Sequence, residues 1–151
     1  MIQTYKKAFE KNINLEIINL SNNSIPTFYF EGLSKLKSLD VSKNKIGMLG
    51  DNTFLLMTSL VTLNLNYNFL NTPIAKWFST LSKLEVLDLS HNVIVALPIS
   101  LGVPTPNNVK LINLSYNKGF KFTGQTEFPP SKYFDAVSKN ASIILTPFLP
   151  K

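Results

Sequence analysis

The stretch LEVLDLSHNVI, residues 84–94, carries the pattern that decides the fold. Leu87 and Leu89 alternate with polar or outward residues, which is the period-2 pattern of a half-buried strand. Asn92 follows where the strand should bend, and its amide can both donate to and accept from a neighbouring backbone turn. A strand with a single apolar edge cannot bury that edge alone, so the stretch requires stacked copies of itself.

Four further copies of the pattern L-x-x-L-x-L-x-x-N, with aliphatic substitutions, surround this stretch. Their first apolar positions are Leu15, Leu36, Leu60 and Val109. A second set of apolar residues lies six positions before each unit, and it comprises Phe9, Phe30, Phe54, Phe78 and Val103. The same spacing counted from Phe134 predicts a sixth, degenerate unit in which Ile143 and Leu145 take the inward strand positions.

This repetition resembles the leucine-rich-repeat family, in the form with typical repeats of about 24 residues. The resemblance implies an α/β fold: a right-handed solenoid with a parallel concave β-sheet and a mixed helix/turn convex side. We expect one domain, residues 1–151. It divides into about five regular repeats over residues 9–117, an insertion at 118–133 and a degenerate terminal repeat at 134–151.

Two of the convex crossings have helical signals. Thr72 and Pro73 are suited to the N-cap and first helical position, so a short helix is predicted to follow them. Trp77 on that helix is interpreted as an anchor against the strand layer, with a binding role as the alternative. Asp51 or Asn52 is predicted to cap a second short helix.

The composition excludes several classes of function. The absence of cysteine excludes disulfides, thiol nucleophiles and cysteine zinc sites. The net charge of +6 rests on 15 lysines and no arginine, whereas nucleic-acid readers depend on the bidentate contacts of arginine. Because these lysines are scattered, we favour a lysine-coated surface over a patch for nucleic acid or anionic membrane.

The sequence also bears on location. Its first residues contain no apolar stretch of signal-peptide length, and no apolar run is long enough to insert into a membrane. Together with the missing cysteines, this predicts a cytoplasmic, intracellular protein. The alternative is that the chain is a fragment of a secreted or membrane protein.

Asp88, Ser90 and His91 raise the possibility of a catalytic triad. His91 follows Ser90 directly at the turning edge of the strand, where a hydrogen bond between their side chains is awkward. The Asp/Asn and Ser positions also recur in other units, which indicates a structural habit of the repeat. With one histidine and no cysteine, a transition-metal site is not expected. We therefore predict no enzyme, metal or cofactor.

The concave face supplies the candidate site. Tyr67, His91 and Tyr116 take the same position in three successive units, just after the strand. Tyrosines on a rigid sheet are typical interface residues, although scattered exposed apolar residues are also normal. Three strand positions are predicted to point outward, and the third of these holds Ser21, Ser42, Asn66, Ser90 and Ser115. The candidate partner-binding residues are Tyr67, His91, Tyr116, Val86, Leu111, Asp88 and Asn64.

The resulting functional prediction is a monomer that binds a protein partner through its concave face. One alternative is a targeting or ectodomain segment of a larger effector or receptor whose activity lies elsewhere. Another is a purely structural spacer. In the insertion, Phe120, Phe122 and Phe128 either cover the last strand or project towards a partner.

Overall fold

The computed structural model describes residues 8–73, 75–95, 108–117 and 142–144, the last segment by its backbone. These residues include six short strands that follow one another in the sheet in chain order, each parallel to the next. They are β1 (Ile17–Asn19), β2 (Ser38–Asp40), β3 (Thr62–Asn64), β4 (Val86–Asp88), β5 (Leu111–Asn113) and β6 (Ser142–Ile144). The chain is a right-handed solenoid with this sheet on its concave side, which confirms the predicted fold class.

The register of the sheet follows the repeat pattern. The middle residue of each strand pairs with the middle residue of the next, as Leu63 does with Leu87. In β1 to β5 this residue is buried, while its two neighbours are half-buried or exposed. In β6 the backbone of Ile143 pairs with Ile112. The proposed boundaries of the insertion and the terminal repeat lie outside the described residues.

A spine of phenylalanine rings runs through the core behind the sheet. The ring of Phe28 is 5.0 Å from that of Phe30 and 5.8 Å from that of Phe54, measured between centroids. Phe54 continues the spine to Phe78 at 6.4 Å. Because these rings belong to successive turns, the spine joins the first turns of the solenoid to the fourth.

A ladder of buried asparagines joins the same turns by hydrogen bonds. The Oδ1 atom of Asn68 accepts the backbone N–H of Ile46 at 2.9 Å. Its Nδ2 atom donates to the carbonyls of Val41 and Leu65 at 3.0 and 3.1 Å. Asn44, Asn92 and Asn117 repeat this arrangement.

The first member of the ladder differs from the others. The pattern predicts a buried Asn23, but the structure shows this residue exposed. Its Nδ2 atom donates to the carbonyls of Leu20 and Ser21 within its own turn. The Oδ1 atom of each later asparagine accepts a backbone N–H from the preceding turn. In the part of the chain that the structure describes, no turn before Asn23 supplies such an N–H group.

The convex side bears on both predicted helices. The short helix predicted after Thr72 is present as a 3₁₀ helix at Ala75–Phe78. In place of a helix capped by Asp51 or Asn52, residues 51–56 form turns with bonds such as Leu55 N–H to Asn52 carbonyl at 3.1 Å. A 3₁₀ turn rises about 2.0 Å per residue against 1.5 Å for an α-helix, so a short crossing spans the solenoid with fewer residues.

Trp77 lies on the 3₁₀ helix and is only 4% exposed, which agrees with its interpretation as an anchor. Its ring meets Phe78 edge to face at 6.3 Å. A large aromatic side chain in this position covers the end of the phenylalanine spine and leaves little of itself for a partner.

Candidate protein-binding surface

One repeat position, immediately after each strand, has an unusual backbone. Its φ angles lie between 49° and 59°, in the left-handed region that L-residues rarely adopt. In the first four turns the backbone N–H at this position still donates to the next turn, as Tyr67 does to the Ser90 carbonyl at 3.1 Å. This position is held by Asn22, Lys43, Tyr67, His91 and Tyr116, which we call the edge row.

The left-handed conformation carries a cost that depends on the residue. It is about 1–2 kcal/mol for an L-residue, and asparagine tolerates it better than most because its short polar side chain bonds locally. Asn22 fits this preference, whereas Tyr67 and Tyr116 do not. Two tyrosines therefore occupy backbone positions that favour a smaller residue.

The last three members of the edge row form a stack of parallel rings. The centroids of Tyr67 and His91 are 3.9 Å apart with an interplanar angle of 9°. Those of His91 and Tyr116 are 4.1 Å apart at 12°. These spacings are closer than the roughly 4.8 Å between strands, so the side chains lean together. Tyr67 and Tyr116 remain 49% and 48% exposed.

A second row of apolar residues runs beside this stack. Phe69, Val93 and Val95 are each about half exposed. With the stack they line a groove of about 450 Å³ whose lining also includes Asn68 and Asn92. The amide oxygen and nitrogen of Asn68 are already bonded to the backbone, and those of Asn92 repeat the pattern. The groove is therefore apolar, although asparagines form part of it.

This second row is not among the site residues predicted from the sequence. Its signal was present, because Phe69 and Val93 lie two residues after Tyr67 and His91 and so alternate with the buried asparagines. In the earlier turn the equivalent position is Lys45, which is exposed. The apolar character of both rows begins only at the third turn.

The remaining predicted site residues lie on the strands, apart from the groove. Val86 pairs with Leu111 across β4 and β5, and both are half-buried. The Oδ1 atom of Asp88 accepts the backbone N–H of Ser90 at 2.9 Å, and that of Asn64 accepts the N–H of Asn66 at 3.1 Å. Asp88 and Asn64 thus shape the bend that leads into the edge row.

This bend corrects the predicted outward row of serines. Ser42, Ser90 and Ser115 are buried, at 5%, 2% and 6% exposure. The side chain two residues earlier caps the backbone N–H of each serine, and the capped turn rotates the serine towards the interior. Ser90 is consequently withdrawn from the surface that a triad with His91 would need.

The left-handed backbone leads to a testable prediction. Tyr67→Val should lower the free energy of unfolding by about 2 kcal/mol, because a β-branched residue at positive φ is a genuine outlier. Tyr67→Asn should change it by less than about 1 kcal/mol, because the lost stacking is offset by a more tolerant residue. Urea unfolding of both variants measures the difference, and equal losses would contradict it.

The described residues contain neither a cluster of metal ligands nor a helix that could span a membrane. Among them, no group of three or more histidine, cysteine, aspartate or glutamate side chains is arranged to hold a metal ion. None of the helices found there has the length and apolar character needed to cross a bilayer.

The chain is similar to known proteins that contain leucine-rich repeats. A family model for the leucine rich repeat matches residues 4–46 and 34–94. Human lumican is 32% identical over 115 residues, 74% of this chain and 33% of lumican. Receptor-like protein 32 of Arabidopsis thaliana is 30% identical over 136 residues, 87% of this chain and 14% of that protein. An adenylate cyclase of Schizosaccharomyces pombe is 36% identical over 94 residues, 58% of this chain and 5% of that protein.

The chain spans about a third or less of the length of these relatives. These relatives share the repeated sequence pattern with this chain, although they differ widely in length.

Proposed function

Because this chain belongs to the leucine-rich-repeat family, we propose that it is a non-enzymatic, monomeric protein-interaction module with its contact surface along the concave sheet. The centre of that surface is the groove between the Tyr67–His91–Tyr116 stack and the row of Phe69, Val93 and Val95. This groove adjoins the sheet at the ends of its strands. Interaction modules are the usual use of such rigid repeat scaffolds.

The ring stack is the observation that carries this proposal. Tyrosine anchors a partner at small entropic cost because it has few rotatable bonds, and stacking on His91 restrains it further. A purely structural turn has no need for tyrosine at a left-handed position, since Asn22 makes the same turn in the first repeat. The solenoid thus holds two strained, half-exposed tyrosines where smaller residues would suffice.

The other candidate residues have distinct roles in this proposal. Val86 and Leu111 supply a separate apolar contact on the strands. Asp88 and Asn64 position the stack through their bonds to the turn backbone. The Oδ2 atom of Asp88 also accepts a hydrogen bond from the Nδ2 atom of Asn113 at 3.3 Å. Tyr67 and Tyr116 supply the anchoring contacts.

Replacing both tyrosines tests the proposal. We expect Tyr67→Asn combined with Tyr116→Asn to weaken binding by more than about 2 kcal/mol, the scale of an interface hot spot. Asparagine is chosen because it suits the left-handed backbone and leaves the fold intact. The natural partner is captured from an extract of the source cells with the wild-type chain, purified, and titrated against both proteins by calorimetry.

The matched control removes a similar apolar area elsewhere. Leu55 and Leu56 on the convex turn are 45% and 43% exposed, so Leu55→Ala with Leu56→Ala should leave the affinity unchanged. Circular dichroism checks that all variants are folded. A folded double asparagine variant with wild-type affinity would remove the groove as the binding surface. If the wild-type chain captures no specific protein from the extract, the alternative function of a purely structural spacer is favoured.

A second proposal concerns the chain as part of a larger protein. The relatives contain long regions beyond the matched repeats, up to 95% of the S. pombe adenylate cyclase. In that arrangement these repeats would be a targeting or ectodomain segment, and the activity would lie elsewhere. The mass of the natural product, measured from its source, distinguishes the two arrangements.

A further inference from the structure

We propose that the groove takes a short linear segment of a partner protein in which a carboxylate side chain lies next to two or three apolar residues. This inference rests on the proposed protein-binding function and adds the chemistry of the ligand. It follows from three observations: the apolar lining of the groove, its length, and the charge at one end.

The lining determines which part of the ligand is apolar. One wall is the ring stack and the other is formed by Phe69, Val93 and Val95. Between them, the amide groups of Asn68 and Asn92 are bonded to backbone atoms of their own and adjacent turns. A polar ligand group placed between the two walls would find these amide groups already bonded, so this part of the groove favours apolar side chains.

The length of the groove limits how many residues it takes. From Tyr67 to Tyr116 the stack extends by about 8 Å, according to its two centroid distances of 3.9 and 4.1 Å. An extended chain advances about 3.3 Å per residue. Two or three residues therefore fill the groove when the segment runs along the rows, across the direction of the strands.

The charge at one end determines what lies beside these residues. Lys43 precedes Tyr67 in the edge row, and Lys45 occupies the equivalent place before Phe69. Both lysines are exposed, and among the described residues neither takes part in an ion pair. The carboxylate of the same turn, Asp40, accepts the backbone N–H of Ser42 at 2.9 Å.

Two exposed ammonium groups thus lie one turn beyond the apolar groove. Adjacent turns are separated by about 4.8 Å, so a ligand carboxylate one or two residues from the apolar part would reach them. Opposite charges at the rim of an apolar contact mainly set the orientation of the ligand and its rate of association.

A random peptide display library is the probe for this inference. We expect the wild-type chain to select peptides with aspartate or glutamate one or two residues from an apolar pair. The Tyr67→Asn, Tyr116→Asn variant should lose these peptides. Selected peptides without an enriched acidic position, or failure to select any peptide, would overturn the inference.

Charge reversal then identifies the site of the carboxylate. Lys43→Glu with Lys45→Glu should weaken the binding of a selected synthetic peptide at least tenfold. Changing the peptide's acidic residue to lysine should restore part of that affinity. The control reverses Lys37 and Lys110, which pair with Glu16 and Glu85 outside the groove. This control should change the affinity less than twofold.

The outcomes separate this inference from the proposed function. If the tyrosine variant abolishes binding of the folded natural partner while the library returns no acidic–apolar peptide, the groove binds a folded surface and only the inference fails. If the natural partner binds the tyrosine variant with the same affinity as the wild-type chain, both the inference and the proposed function fail. Peptide affinity that is insensitive to Lys43 and Lys45 also contradicts the inference.

Discussion

Phe54→Ala is expected to lower the free energy of unfolding by about 3–5 kcal/mol, the usual cost of truncating a buried phenylalanine. The Phe54 side chain is fully buried. It is the link in the spine between Phe28, at 5.8 Å, and Phe78, at 6.4 Å. Its removal leaves a cavity between two turns whose backbones are held apart by the sheet, so the site cannot collapse to fill it.

Chemical denaturation followed by circular dichroism measures this loss. The matched control is Phe69→Ala, because Phe69 is 57% exposed in the groove and should cost within about 0.5 kcal/mol. Phe69→Ala should instead weaken partner binding. A loss at Phe54 as small as that at Phe69 would contradict the continuous core inferred here.

Asn92→Ala is expected to cost about 3 kcal/mol of folding free energy. The substitution removes the acceptor of the Leu70 backbone N–H at 2.9 Å and the donor to the carbonyls of Leu65 and Leu89. Each buried polar group left without a partner costs about 1–3 kcal/mol. Because these groups belong to two adjacent turns, their loss weakens the contact between the turns.

Asn23→Ala is the control, since Asn23 holds the same repeat position but is exposed. Water can replace its two bonds to Leu20 and Ser21, so the expected cost is below about 1 kcal/mol. Stability in a repeat array depends on the interfaces between neighbouring turns, and the comparison measures one such interface. Equal losses at Asn23 and Asn92 would show that the asparagine acts within its own turn alone.

These two predictions distinguish the parts of the molecule that hold it together from the part proposed to bind. Phe54 and Asn92 act between turns and are buried. Tyr67 and Phe69 lie on the surface of the third turn and are about half exposed. Phe54→Ala and Asn92→Ala should change the free energy of unfolding, whereas Tyr67→Asn and Phe69→Ala should change the affinity for the partner.

The repeat period alone determined the strands, their register and the edge row. A leucine, isoleucine or valine at alternate positions must turn the same way in a strand, and the 21 to 25 residues between units bring equivalent positions side by side. The common position of Tyr67, His91 and Tyr116 was therefore predictable. Their left-handed backbone was not, because the bend depends on bonds between side chain and backbone, such as that from Ser90 N–H to Asp88.

Contacts between turns decided the rest. The lean of the rings to 3.9 and 4.1 Å, the groove shared with Val93, and the burial of Ser90 all depend on how one turn settles against the next. Asn23 is exposed because no earlier described turn packs against it. The 3₁₀ helix at Ala75–Phe78 depends on the width of the solenoid that the crossing must span. A linear pattern specifies which residues share a position, but close packing between separate turns specifies which of them touch and which remain open to a partner.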